Sequence, residues 1–228
     1  MSIRDNYQRI LEDMATACAR SSRKMEDVQL LAVTKFVSVE RIQEALELGI
    51  TRVGENRAQE LVEKLDFFTK FACEVHFIGQ LQTNKVKYIT GQVDLVQSVD
   101  RPQLAQELQR QAKLRNVEQD VLIEVNIGEE SQKGGIAPDA LIPFLASMEM
   151  MPNLHVKGLM CIPPALGEEQ ARPYFAKMRQ LFERVAQQRM PHIQMQHLSM
   201  GMTGDFRAAI EEGATIVRIG TGLFGARL

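Results

Sequence analysis

The stretch QLLAVTKFVSVERIQEALELGITRVGEN, residues 29–56, contains one complete structural unit. Residues 30–34 form an apolar run of strand length. Val39, Ile42, Ala45 and Leu46 then recur at three- and four-residue steps, and a second short run follows at 52–54. The first spacing predicts a strand, the second an amphipathic helix, the third another strand. Gly49 stands where the helix C-terminus calls for a left-handed residue. Further apolar runs occur at 74–78, 95–98, 121–126, 156–160, 196–199 and 215–219. Helical patterns lie between them, marked by Leu104, Ala105, Leu108 and Ala112, by Phe175, Met178, Leu181, Phe182 and Val185, and by Phe206, Ala209 and Ile210 before Gly213. Strand followed by helix, repeated, predicts an α/β fold with a parallel sheet. Eight repeats in 228 residues favour a closed (β/α)8 TIM barrel over an open doubly wound sheet. No Gly-x-Gly-x-x-Gly follows the first strand, which weighs against dinucleotide binding. An extra helix is predicted over 2–22, with Ile3, Tyr7, Ile10, Leu11, Met14 and Cys18 on one face.

Composition narrows the function classes. Hydrophobic residues make up 45% and charged residues 25%, which is the balance of a folded globular chain rather than a disordered one. Lys+Arg 27 against Asp+Glu 29 gives −2, without the basic surplus of a nucleic-acid binder. No apolar run approaches the ~20 residues that cross a bilayer, so no membrane partner is expected. The N-terminus lacks the apolar core of a secretory signal. Cys18, Cys73 and Cys161 are too widely spaced for a zinc site and odd in number for a disulfide framework, which points to reduced thiols in the cytoplasm. No linker or charge block divides the chain, so residues 1–228 are read as a single domain.

In such a barrel the chemistry sits at the C-terminal ends of the strands. Leu31, Val33 and Lys35 share one face of the first strand, so Lys35 is aimed at the barrel mouth. A desolvated lysine holds its amine neutral and can attack a carbonyl, whereas a strand-end lysine reaching into water is the bland alternative. Gly54-Glu55-Asn56-Arg57 ends the second strand, and Gly79-Gln80-Leu81-Gln82 follows the third. His76 alone fits a structural histidine, and His155, His192 and His197 lack metal-ligand spacing, so no metal is assigned. The runs Ser199-Met200-Gly201-Met202-Thr203-Gly204-Asp205 and Arg218-Ile219-Gly220-Thr221-Gly222 are two adjacent small-residue turns, each opening a helix. Turns at these two positions favour a phosphate. Arg218 is in step with Ile216 and faces inward, where it needs an acceptor such as Glu124 or a ligand.

Strand eight is the neighbour of strand one in a closed barrel. A ligand with an aldehyde at one end and a phosphate at the other fits between Lys35 and the two turns. Pyridoxal 5′-phosphate (PLP) has that layout, and so has a ketose phosphate of a Schiff-base aldolase.

The ordered set of segments resembles the pyridoxal phosphate homeostasis protein family. It consists of Ala32-Val33-Thr34-Lys35, Val53-Gly54-Glu55-Asn56, His76-Phe77-Ile78-Gly79 with Asn84-Lys85, Val125-Asn126 with Lys133-Gly134, Gly158-Leu159-Met160, Leu198-Ser199-Met200-Gly201-Met202 with Asp205-Phe206, and Val217-Arg218-Ile219-Gly220 with Phe224-Gly225. Arg57 departs from the family's usual aromatic residue, and Gly204 falls at a variable position. The resemblance implies a barrel like the N-terminal domain of alanine racemase. It implies that Lys35 forms the PLP aldimine, that Ser199, Gly220 and Thr221 hold the phosphate, that Arg218 lies near the pyridine nitrogen, and that Asn56 and Met200 line the pocket. An arginine there disfavours a protonated ring and makes the cofactor a poor carbanion stabiliser. Tyr7, Tyr88 and Tyr174 stand at no predicted strand end, and with the chain ending at Leu228 the tyrosine-bearing second domain of a racemase is expected to be missing. The resemblance therefore implies a PLP-binding protein of vitamin B6 homeostasis, compatible with a monomer, holding PLP for PLP-dependent apoenzymes and without established turnover. A PLP-dependent amino-acid racemase is the alternative.

Overall fold

A computed structural model describes residues 2–130, 132–190 and 192–225. Met1 and residues 226–228, the ends of the expected domain, lie outside them. Eight parallel strands close into a barrel in sequence order. They are β1 (Gln29–Val33), β2 (Arg52–Glu55), β3 (Glu74–Phe77), β4 (Leu95–Val99), β5 (Gln119–Glu124), β6 (Leu154–Met160), β7 (Ile193–Met202) and β8 (Ile216–Ile219). The N-terminal helix α1 (Ile3–Arg20) precedes the first 3-10 turn. Outside the barrel run α2 (Val39–Glu47), α3 (Ala58–Lys70), α4 (Pro102–Arg115), α5 (Leu141–Ser147), α6 (Glu168–Gln188), α7 (Phe206–Glu211) and α8 (Thr221–Phe224). The connection from β3 to β4 is a 3-10 segment, Thr83–Tyr88. All eight predicted strands are present, and closure is completed by β1 pairing with β8.

Strand limits differ where polar residues join the sheet. β5 begins at Gln119, whose buried amide donates to Val93 O and whose oxygen accepts from Gly91 N–H. A buried glutamine with satisfied bonds is sheet-compatible, yet its identity gives no hydrophobic signal. β7 begins at Ile193, because Ile193 and Met195 pack inward on the helix layer while Gln194 and Gln196 face solvent.

The core has two shells. Leu31, Val33, Ile78, Leu95, Leu122, Met160 and Ile216 fill the barrel interior. A larger cluster lies between the strands and the helices. Alternation along each strand decides which shell a residue enters. Gly49 and Gly213 both adopt φ +102, as their helix-end positions predict. α1 starts with a reciprocal cap, the Ser2 hydroxyl accepting from Asp5 N–H and the Asp5 carboxylate from Ser2 N–H. It lies against α7 and α8, with Asn6 donating to Leu223 O. Among the described residues no helix is long and apolar enough to cross a membrane, and no cluster of metal-ligating side chains occurs.

Candidate functional site

The C-terminal mouth of the barrel carries a cavity of about 560 Å³. Lys35 lines it with Val33, Phe36, Ser38, Arg41, Gly220 and Thr221. Lys35 and the Gly220–Thr221 turn thus share one space, as adjacency of β8 and β1 requires.

The backbone on both sides of Lys35 is clamped. Lys64, on α3, donates to Thr34 O at 2.9 Å and to Glu55 Oε1 at 2.8 Å. The Thr34 hydroxyl donates to the same Glu55 oxygen at 2.7 Å. On the far side, Phe36 N–H donates to Glu60 Oε2 at 2.8 Å, and that oxygen lies 3.6 Å from Lys64 Nζ. Phe36 holds φ 60, a left-handed conformation that a bulky residue rarely adopts. The carboxylate of Glu60 and the Arg57 guanidinium, 4.5 Å from the Phe36 ring centre, hold it there. Arg57 thus has an aromatic partner of its own in Phe36. Glu55 is fully buried, and burial pushes its carboxyl above the ordinary range against the pull of Lys64.

On the neighbouring strand β8, in register with Leu31, stands Arg218, buried and inward-facing as its step from Ile216 predicts. Its Nη1 donates to Ser199 Oγ at 2.7 Å and its Nη2 to Cys161 O at 2.8 Å. Among the described residues no carboxylate lies within ion-pair distance, so the expected acceptor Glu124 acts from further away. Burial works against the charge of Arg218. Glu124 is pushed up to about 7, first by burial and then by the neighbouring Asp100, with Arg218 pulling it down.

The structure places the remaining expected residues as follows. Val33 pairs with Gly54, so Asn56 stands level with Lys35 on the adjacent strand end. The buried Oδ1 of Asn56 has no hydrogen-bond partner, an orphan that a ligand donor would satisfy. Gly79 presses on the same loop: a Cβ there would come 2.0 Å from Asn56 O. Ser199 is fully buried, and its hydroxyl donates to Gln97 Oε1 at 2.6 Å while accepting from Arg218. Its one proton is therefore taken by Gln97, and one of its two lone pairs by Arg218. Met200 is a correction. Its side chain lies in the helix-facing shell and not in the mouth, because Ser199 before it points inward. The turn after β7 is closed by Asp205, whose carboxylate accepts from Met202 N–H at 2.6 Å. It reaches the other turn through Thr203, whose hydroxyl accepts from Gly222 N–H at 3.1 Å and lies 3.4 Å from Thr221 Oγ1. Thr203 as a link, Lys64, Glu60 and Gln97 were not singled out from sequence. Only Thr203 had a local signal, since it lies within the small-residue turn.

His76 is structural, as its sequence position suggested. It is buried, with Nε2 2.8 Å from Glu74 Oε1 and Nδ1 2.7 Å from Gln97 Nε2.

Comparison with known proteins places this geometry. The family described as alanine racemase, N-terminal domain, matches residues 6–228. A pyridoxal phosphate homeostasis protein of Aquifex aeolicus is 47% identical over 228 residues, covering 100% of this chain and 99% of the relative. The structure of PipY from Synechococcus elongatus with PLP bound aligns with a TM-score of 0.81 at 33% identity, covering 95% of this chain and 100% of that one. A protein of unknown function from Bifidobacterium adolescentis aligns at 0.91 with 33% identity, covering 97% and 94%.

Proposed function

This chain belongs to the pyridoxal phosphate homeostasis protein family, and from that premise we propose that it binds PLP at the barrel mouth and serves intracellular PLP homeostasis. The observation that carries the reading is that Lys35 and the Gly220–Thr221 turn line a single cavity. The residues present suit the coenzyme. A primary amine faces the space that a small-residue turn closes, the orphaned Asn56 oxygen awaits a donor, and among the described residues Ser199 and Cys161 use two of the five N–H donors of Arg218.

When bound, PLP supplies an electrophilic aldehyde and, with its ring nitrogen protonated, an electron sink. Lys35 would supply the amine that holds the aldehyde end. Gly220 and Thr221 hold the phosphate, with the Thr203 hydroxyl bracing that turn. Asn56 contacts the ring edge. Arg218 faces the ring nitrogen, and Ser199 serves that arginine rather than the phosphate. A guanidinium donates hydrogen bonds but accepts no proton and repels a second positive charge, so it keeps the ring nitrogen neutral. This side-chain set suits reversible holding, with PLP-dependent apoenzymes as recipients, better than carbanion chemistry. Among the described residues no tyrosine lines the cavity: Tyr7 borders a separate recess beside α1, Tyr88 is exposed, and Tyr174 lies on α6. The three cysteines are unpaired, which suits a reducing compartment such as the cytoplasm.

The test is borohydride reduction of the PLP-loaded protein followed by peptide mapping. A single modified residue, Lys35, is expected. Modification at Lys85, Lys133 or Lys157 instead would overturn the assignment, and a protein that takes up no PLP would overturn the function. Steady α-proton exchange of single-enantiomer amino acids in deuterated water would replace the carrier reading by an enzymatic one.

A further inference from the structure

A continuous line of polar side chains crosses the interior of this barrel. Arg218 on β8 donates to Ser199 on β7, and Ser199 donates across the interior to Gln97 on β4. The Gln97 amide nitrogen meets His76 Nδ1 on β3, and His76 Nε2 meets Glu74 near the opposite mouth. The second Glu74 oxygen lies 2.7 Å from Arg52 Nε on β2. Gln97, Ser199, His76 and Arg218 are all buried, in a space otherwise filled by Leu31, Leu95, Leu122 and Ile216. Apolar residues at these positions would fill a barrel without needing any partner, so six polar side chains in sequence require a reason.

The line has only one sense. Arg218 can only donate, so Ser199 Oγ accepts and must send its own proton elsewhere. The acceptor within reach is Gln97 Oε1, at 2.6 Å. That fixes the amide, whose NH2 group then faces His76 Nδ1 and makes that nitrogen an acceptor. His76 therefore carries its proton on Nε2, directed at Glu74. With the amide turned over, Gln97 and Arg218 would both donate to Ser199, and the serine proton would have no acceptor. In the first arrangement the serine proton, the amide and the imidazole all find partners, whereas in the second the serine proton has none.

We propose that Gln97 and His76 are positioning residues for Arg218, holding its guanidinium in one orientation at the cofactor end from the far wall of the barrel. The inference rests on the PLP reading above. The hold on Nη1 runs through Ser199 to Gln97, and the hold on Nη2 comes from Cys161 O. Without the first, the guanidinium turns about the second and its remaining donors lose their aim.

The experiment has two arms. In the first, the 15N imidazole spectrum of the unloaded wild-type protein is recorded at neutral pH, with His76 assigned by its loss in His76→Gln. A protonated Nε2 and a bare Nδ1 are expected, and a proton on Nδ1 overturns the proposal. This arm needs no PLP and reads the line intact in the wild type, with His76→Gln serving only to assign the signal. In the second arm, PLP binding is titrated in the wild type, Gln97→Met and Gln97→Glu. Gln97→Met is expected to bind about tenfold more weakly. It should still link PLP through Lys35, and its bound-cofactor absorption should shift with pH in a way the wild type's does not. Gln97→Glu, which retains the acceptor for Ser199, should recover most of the affinity while forcing a proton onto His76 Nδ1. Gln97→Met with wild-type affinity and a wild-type pH profile overturns the proposal and leaves the PLP reading standing. A wild type that binds no PLP overturns both.

Discussion

The two ends of the site hold a cation each, by opposite means. At the lysine end, Lys64 is surrounded by Glu55 and Glu60, and the main chain around Lys35 hangs from that ion-pair cluster. At the arginine end, Arg218 is held by a serine hydroxyl and a peptide oxygen, neutral acceptors both. With Arg57 4.0 Å from Glu60, two cations face two carboxylates, so the lysine cluster balances its own charge and provides rigidity without projecting a field. Among the described residues no anion meets Arg218 at contact distance, so the arginine end can direct its positive charge at a ligand. The pairing of a balanced scaffold with an unbalanced contact group separates the residue that places the amine from the residue that sets the ring's electronics.

That contrast can be broken most forcefully at Lys64. Lys64→Met leaves Glu55 fully buried beside no cation, and the expected loss is about 3–5 kcal/mol in urea unfolding. Adding Glu55→Gln should recover much of that loss, because the unpaired charge then disappears. A small effect of the single change would show that the cluster is not what carries this end.

Glu124 measures how far the arginine's charge reaches. Its folded value of about 7 lies above the ordinary 4.5, so the folded protein binds the extra proton between those two values. Stability from this group is therefore complete below about pH 4.5 and falls as pH rises toward 7. Glu124→Gln should stabilise the protein by about 1–3 kcal/mol at pH 8 and change nothing at pH 4. Equal unfolding midpoints of wild type and variant at pH 8 would mean that Arg218 compensates the half-buried carboxylate after all.

The smallest effect is expected at the turn. Thr221→Ala removes one neutral donor from the proposed phosphate hold, worth about 1 kcal/mol or a fivefold weaker PLP affinity. The reducible link at Lys35 should persist. Unchanged affinity in a fluorescence titration would place the phosphate elsewhere.

Much of this was legible in the chain. The strand-and-helix rhythm predicts the barrel, and simple alternation puts Lys35 and Arg218 inward. Alternation also held the answer for Met200: once Ser199 points inward its neighbour cannot, and its side chain joins the helix-facing shell. Lys64 and Gln97 were invisible for a different reason. Lys64 reads as an ordinary helix lysine until Thr34, thirty residues earlier, is folded against it. Gln97 meets Ser199 across 102 positions of sequence. The phosphate role of Ser199 came from the family resemblance, and only the fold shows its hydroxyl bonded to both Gln97 and Arg218.

The sequence by itself determined the periodicities, hence the closed parallel barrel, and the face on which each strand residue lies, because both follow from local backbone geometry. Which polar groups meet was decided only by closure. Hydrogen bonds and ion pairs depend on separations of a few ångströms between residues far apart in the chain. Barrel curvature and register set those separations, and no local pattern encodes them.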